Sequence, residues 1–127
     1  MGRKLPHITD AELAILRLLW DDGSLTARRI REVLYPAGTA SDHATVQKLL
    51  QRLEEKGFVR RDRTEFAHTF TARVSRERLA GAQLESLADR LTDGSLVPFI
   101  THLAKQTKLT DEERQELRAV LDRLSEH

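Results

Sequence analysis

At 127 residues the chain can bury one or two small cores but leaves no room for a large substrate cleft as well, which weighs against a complex enzyme. Cysteine is absent, which excludes disulfide frameworks, thiolate metal sites and thiol nucleophiles; with no apolar run near the roughly 18 residues of a membrane span and no hydrophobic leader, a soluble, cytoplasmic chain is expected. The net charge is +1, with 12 Lys/Arg against 10 Asp/Glu in residues 1–72 and 9 against 10 in residues 73–127, a balance that does not by itself mark a nucleic-acid binder.

Thr9-Asp10-Ala11-Glu12 has the pattern of a capping box and predicts a helix start. The apolar positions Leu13, Leu16, Leu19 and Trp20, with Ile15 on the flank, recur at helical spacing until Asp21-Asp22-Gly23 ends them. A short second helix is expected from an N-cap at Thr26 through Ile30, Val33 and Leu34, followed by a loop over residues 35–40 that contains Pro36 and Gly38. A third helix is expected from an N-cap at Ser41 or Asp42 to Lys56, with Gly57 where a left-handed cap is wanted. Val46, Leu49, Leu50 and Leu53 form its apolar stripe, and at 100° per residue Ala44, Gln47, Lys48, Gln51 and Glu55 fall opposite.

Beyond Gly57 the period changes to two, predicting strands over residues 58–63 and 66–72 joined by a turn at Thr64 and Glu65. Helical patterns return from Ser75 to Asp93-Gly94, from Ser95 to about Gln106 with Pro98 in the first turn, and from the capping box Thr110-Asp111-Glu112-Glu113 onward. The predicted class is therefore mainly α with a small β-ribbon: a winged helix-turn-helix domain over residues 1–74 and a helical segment over residues 75–127.

Three helices followed by a ribbon place the third helix and the ribbon tip where a winged helix meets DNA. Outward groups able to hydrogen-bond base edges in the major groove are Thr45, Gln47, Lys48, Gln51 and Arg52, with Ala44 adding little bulk beside them, while Ser41 and the free amides of the first turn suit a phosphate. His43 on the helix, Arg28 beside it and Arg61 and Arg63 on the ribbon complete the candidate contacts. A docking module that uses the same surface for protein rather than DNA is the competing expectation. An enzyme is not expected: the five histidines lack metal-ligand spacing, Glu54-Glu55 and Glu112-Glu113 read as solvated or capping charges, and neither a glycine-rich phosphate loop nor a nucleophile elbow is present, so metal and cofactor are both expected to be none.

The stretches Leu13-Ala14-Ile15-Leu16-Arg17-Leu18-Leu19-Trp20, Thr45-Val46-Gln47-Lys48-Leu49-Leu50-Gln51-Arg52-Leu53-Glu54-Glu55-Lys56-Gly57-Phe58-Val59 and Leu91-Thr92-Asp93-Gly94-Ser95 closely resemble the penicillinase-repressor family, which includes β-lactamase, methicillin-resistance and copper-responsive repressors. The resemblance covers nearly the whole chain. It implies a homodimer whose winged helices bind the half-sites of a double-stranded DNA operator and whose C-terminal helices, about residues 75–126, entwine. The apolar candidates for that contact are Leu84, Leu87, Leu91, Phe99, Ile100, Leu103, Leu117, Val120, Leu121 and Leu124. The family's release switches are not matched: His102-Leu103 stands where β-lactamase-type repressors have a cleavable Asn-Phe pair, and the cysteine-rich tail of the copper-responsive branch has no counterpart.

Overall fold

The computed structural model describes residues 5–106 and 109–125, so the predicted end of the last helix at Glu126 and the histidine at 127 lie outside the described residues. In chain order the elements are α1 (Asp10–Asp22), β1 (Leu25–Thr26), α2 (Ala27–Leu34), α3 (Ala40–Glu55), β2 (Val59–Asp62), β3 (Thr69–Ala72), α4 (Arg76–Leu91), α5 (Val97–Gln106) and α6 (Asp111–Ser125). The chain forms two compact units, Met1–Ala82 and Gln83–His127, with α4 running from the first into the second.

In the first unit, Thr9 caps α1 as its sequence predicts. Its hydroxyl accepts from the Glu12 amide at 3.2 Å and its own amide donates to the Glu12 carboxylate at 2.8 Å. Ile15 is fully buried with Leu16 and Leu19, whereas Leu13 and Trp20 are only partly covered, so the inward face is rotated from the one expected. Glu12 is the cause. It sits on the inward face with no exposed surface, and the Lys56 ammonium reaches it at 2.8 and 2.9 Å while also donating to the His7 carbonyl at 2.9 Å. Burial alone raises the carboxyl's pKa, but the Lys56 bond and the Thr9 contacts outweigh it and the net displacement is downward. This pair ties the start of α1 to the end of α3.

The start of α3 corrects the sequence expectation. The N-cap is Thr39, not Ser41 or Asp42: the Thr39 hydroxyl accepts from the Asp42 amide at 3.0 Å, and Asp42 accepts in return from the Thr39 amide at 3.2 Å. Asp in place of the usual Glu or Gln closes the same reciprocal box, so Ala40, expected in the loop, is the first helical residue. At the other end Gly57 adopts φ +80°, and the Phe58 and Gly57 amides bond the Leu53 and Glu54 carbonyls at 2.9 and 3.1 Å, the left-handed cap that the glycine predicts. Val46, Leu49, Leu50 and Leu53 pack inward with Ile30, Phe58, Val59 and Phe70 as one core.

The sheet has three antiparallel strands in the order β1-β3-β2, with Leu25 opposite Phe70 and Arg61 also opposite Phe70 on the other side. The strand β1 was not expected, because two residues carry no alternation and Thr26 doubles as the N-cap of α2. The ribbon strands are also shorter than residues 58–63 and 66–72. Asp62 accepts from both the amide and the hydroxyl of Thr64, at 2.9 and 2.8 Å, and this side-chain turn ends the ladder. The Thr64 amide, then its hydroxyl, hold the Asp62 carboxyl below its ordinary pKa. Residues 63–68 therefore form the wing tip, with Phe66 wholly exposed. Behind the wing, the Trp20 indole donates to the Val74 carbonyl at 2.8 Å and the Arg76 guanidinium lies 5.3 Å over its ring.

The second unit is helical. At the end of α4 the Thr92 hydroxyl has the Ala88 and Ser95 carbonyls at 3.0 and 2.6 Å as alternative acceptors for its one proton, with Asp93 at φ +53° and Gly94 at φ +90° turning the chain. Thr110 and Glu113 form the expected capping box of α6 at 3.1 Å in both directions. Among the described residues from Gln83 onward, Ala88 alone is buried, and Leu84, Leu91, Leu96, Val97, Leu103, Val120, Leu121 and Leu124 are exposed. Leu87, Phe99, Ile100 and Leu117 are half-buried. Among the described residues, no helix is long and apolar enough to cross a membrane.

Candidate nucleic-acid interface

The core stripe of α3 fixes which residues face outward. With Val46, Leu49, Leu50 and Leu53 committed to the interior, helical geometry turns Ala44, Gln47, Lys48 and Gln51 to the opposite side. These four line an open groove of about 570 Å³ together with Glu54, Arg61 and Arg63. Residues far apart in sequence thus share one surface: the outer face of α3 forms one wall and the ribbon the other. Ala44, with its single methyl, leaves the floor accessible. Gln47, Lys48 and Gln51 supply donors and acceptors that a duplex edge can use.

A second hollow of about 520 Å³ adjoins the first and shares Gln47 and Arg61 with it. Arg28 and His43 stand on its rim, and Phe66, Ala67, His68 and Phe70 line it from the ribbon. His43 Nε2 and the Gln47 amide are 3.4 Å apart, a pairing in which the amide donates when that ring nitrogen is unprotonated. Gln51 donates to Glu55 at 3.3 Å. Arg28 is exposed and 3.8 Å from Glu32 one turn on, a surface pair too loose to fix its position.

Ser41, Thr45 and Arg52 line neither hollow. They are exposed, and the Thr45 hydroxyl is turned back to the Ser41 carbonyl at 3.0 Å. Glu54, Phe66 and His68 are among the lining residues that sequence reasoning did not single out. Glu54 was legible in principle, since it stands seven positions after Gln47 on the same stripe. The exposure of Phe66 depends on where the ladder ends, which the Asp62 turn decides.

Arg61 departs most from a simple outward contact. It lies opposite Phe70 in the ladder with its guanidinium 4.9 Å over that ring, and its Nε is 3.4 Å from the Glu54 carboxylate. Only 20% of its side chain is exposed. Arg60, one residue earlier, points to the other side of the ribbon and is exposed.

Three helices with a cross-linking strand, a third helix bearing a polar outer face and a two-stranded ribbon beside it define a winged helix-turn-helix domain. The chain belongs to the penicillinase repressor family, whose sequence profile matches residues 8–123. It is 25% identical over 120 residues to the penicillinase repressor of Bacillus licheniformis, covering 94% of this chain and 93% of that one. Over 105 residues it is 30% identical to the transcriptional regulator BlaI of Mycobacterium tuberculosis, covering 81% of this chain and 75% of that one. Among solved structures it is similar to the DNA binding domain of the repressor BlaI, with a TM-score of 0.51 and 26% identity over 61% of this chain and 93% of that domain.

Proposed function

We propose that the chain is a cytoplasmic transcriptional repressor, without catalytic activity of its own, that binds a pseudo-palindromic operator in double-stranded DNA as a homodimer. The observation that carries this reading is the groove in which Ala44, Gln47, Lys48 and Gln51 of α3 face Arg63 of the wing, on a chain of the penicillinase repressor family. In this arrangement α3 enters the major groove and the wing tip follows the adjacent backbone. Gln47 and Gln51 suit adenine and Lys48 suits guanine. Ser41, Thr45, Arg52, Arg28 and His43 stand around this centre as flanking contacts, able to hold the protein in register on phosphates.

Dimerisation is supported by the second unit, whose exposed leucines and valines are spaced along α4, α5 and α6 without a core of their own. In this reading residues 1–74 bind DNA and residues 75–127 pair with a second copy. Two linked half-sites add their binding free energies, which one helix with few base contacts needs.

The test is titration of wild-type protein against duplexes selected from a random-sequence library, over a range of salt. Operator binding predicts an affinity that falls with a log–log slope of about −0.9 per phosphate neutralised. Gln47→Ala, Lys48→Ala and Gln51→Ala should each cost about 1–3 kcal/mol on the selected duplex and little on random DNA. A wild-type protein that selects no sequence and shows no salt slope overturns the proposal and favours a protein-docking module.

A further inference from the structure

Arg61 offers a role that its sequence position hides. It sits on the ridge between the two hollows, and three features hold it there. Its guanidinium is stacked on Phe70, a core residue, at 4.9 Å. Its Nε has no exposed surface and no hydrogen-bond partner, with the Glu54 carboxylate at 3.4 Å as its ion-pair partner. The two residues come from different walls of the groove, Arg61 from β2 and Glu54 from the last turn of α3.

The groove's electrostatics give this pair a consequence. Among the described residues lining it, Glu54 is the only carboxylate, set among Lys48, Arg61 and Arg63. A carboxylate facing a phosphate backbone is repulsive unless a cation is held against it. A stacked, mostly buried arginine is suited to that task because its charge is permanent and its plane is fixed by the ring beneath it. The same placement makes it a poor phosphate contact, since reaching outward would expose Phe70 and abandon Glu54.

We infer that Arg61 is a positioning residue for DNA binding: held on Phe70 beside Glu54, it neutralises that carboxylate, so that the groove presents Lys48 to base edges and Arg63 to phosphate without an opposing charge. This rests on the operator-binding reading above. It also makes Glu54 a restraint on affinity, tolerated only in the presence of its partner.

A double-mutant cycle on the full chain tests it, with the wild-type-selected duplex and a random-sequence duplex as probes. Arg61→Gln should weaken binding to both by about tenfold or more, and Glu54→Gln in that background should restore most of the loss. Glu54→Gln alone should tighten binding to the random duplex by a few-fold. Absence of rescue overturns the inference, and a salt slope reduced by about 0.9 in Arg61→Gln would then identify a direct phosphate contact. If Arg61→Gln does not fold, Glu54→Gln alone decides: unchanged or weaker binding rejects the role given to the pair. Failure of the operator reading itself shows separately, as a wild-type protein with no salt-dependent DNA binding.

Discussion

The two compact units of this chain use similar apolar periodicity to opposite ends. In the first, helix stripes and ribbon side chains meet one another: Ile15, Leu16, Ile30, Leu50 and Leu53 have no exposed surface, and Phe58, Val59 and Phe70 are close behind. In the second, α4, α5 and α6 carry comparable stripes, yet Leu91, Val97 and Leu124 remain about two-thirds exposed. The difference teaches that an apolar stripe reports only that a face is to be covered, not by what. The winged unit completes its own core, while the second unit has apolar surface left over, the condition under which association with a second copy gains free energy.

Mutations that remove apolar bulk should therefore act differently in the two units. Leu50→Ala leaves a cavity in a closed core and should destabilise the winged unit by about 3–5 kcal/mol, read as a shift in the urea midpoint at unchanged slope. Leu121→Asp should leave that transition in place and instead weaken the dimerisation proposed for the second unit. Losing roughly 1.5 kcal/mol from each of two copies amounts to about a hundredfold in the dissociation constant, measurable by sedimentation. If Leu121→Asp unfolds the winged unit and leaves the oligomeric state untouched, the contrast between the units fails.

The buried pair of Glu12 and Lys56 sharpens the contrast through pH. Lys56→Met leaves a fully buried carboxylate unpaired; removing one partner of such a pair typically costs ~3–5 kcal/mol, and the partial exposure of Lys56 places it near the lower end, about 3 kcal/mol. In the wild type the Glu12 carboxyl has its pKa lowered by folding, so its contribution is fully present above the ordinary value of 4.5 and is lost as pH falls through the lower folded value. Urea midpoints of the wild type should decline below about pH 4.5, and the decline should be shallower in Glu12→Gln. A wild type and Glu12→Gln that decline in parallel would assign acid sensitivity to other carboxylates.

Much of the first unit was legible because its signals are local. The Thr9-Glu12 box, the Thr26 cap, the Gly57 cap and the inward stripe of α3 each need only a few neighbouring residues, and all are present in the fold. What escaped depends on partners distant in sequence. The burial of Glu12 needs Lys56, 44 positions away; β1 exists only because Leu25 and Thr26 find Phe70 and Thr69; and the role of Arg61 depends on Phe70 beneath it and Glu54 across the groove. Reading helix and ribbon separately identified Gln47, Lys48, Gln51, Arg61 and Arg63 as candidates. That they line one groove with Glu54 follows from packing α3 against β2, which no short window of sequence encodes.

The start of α3 gives the smallest expected effect. Two residues compete for the role of N-cap, and their side chains now have different occupations. Thr39 accepts from the Asp42 amide, satisfying one of the otherwise free donors of the first turn, whereas Ser41 is already helical and exposed. Thr39→Ala should therefore cost about 1 kcal/mol of stability in the winged unit, the usual loss for a capping hydroxyl. Ser41→Ala should stay within about 0.5 kcal/mol of wild type, as expected for a surface substitution that removes no cap. If Ser41 contributes through a phosphate, its substitution should appear only in the DNA titration, at every sequence alike, with the salt slope altered little because a neutral hydroxyl displaces no counterion. Equal thermal losses for the two variants would mean that the cap is shared between them, and that the first turn of α3 begins less sharply than the Thr39-Asp42 box requires.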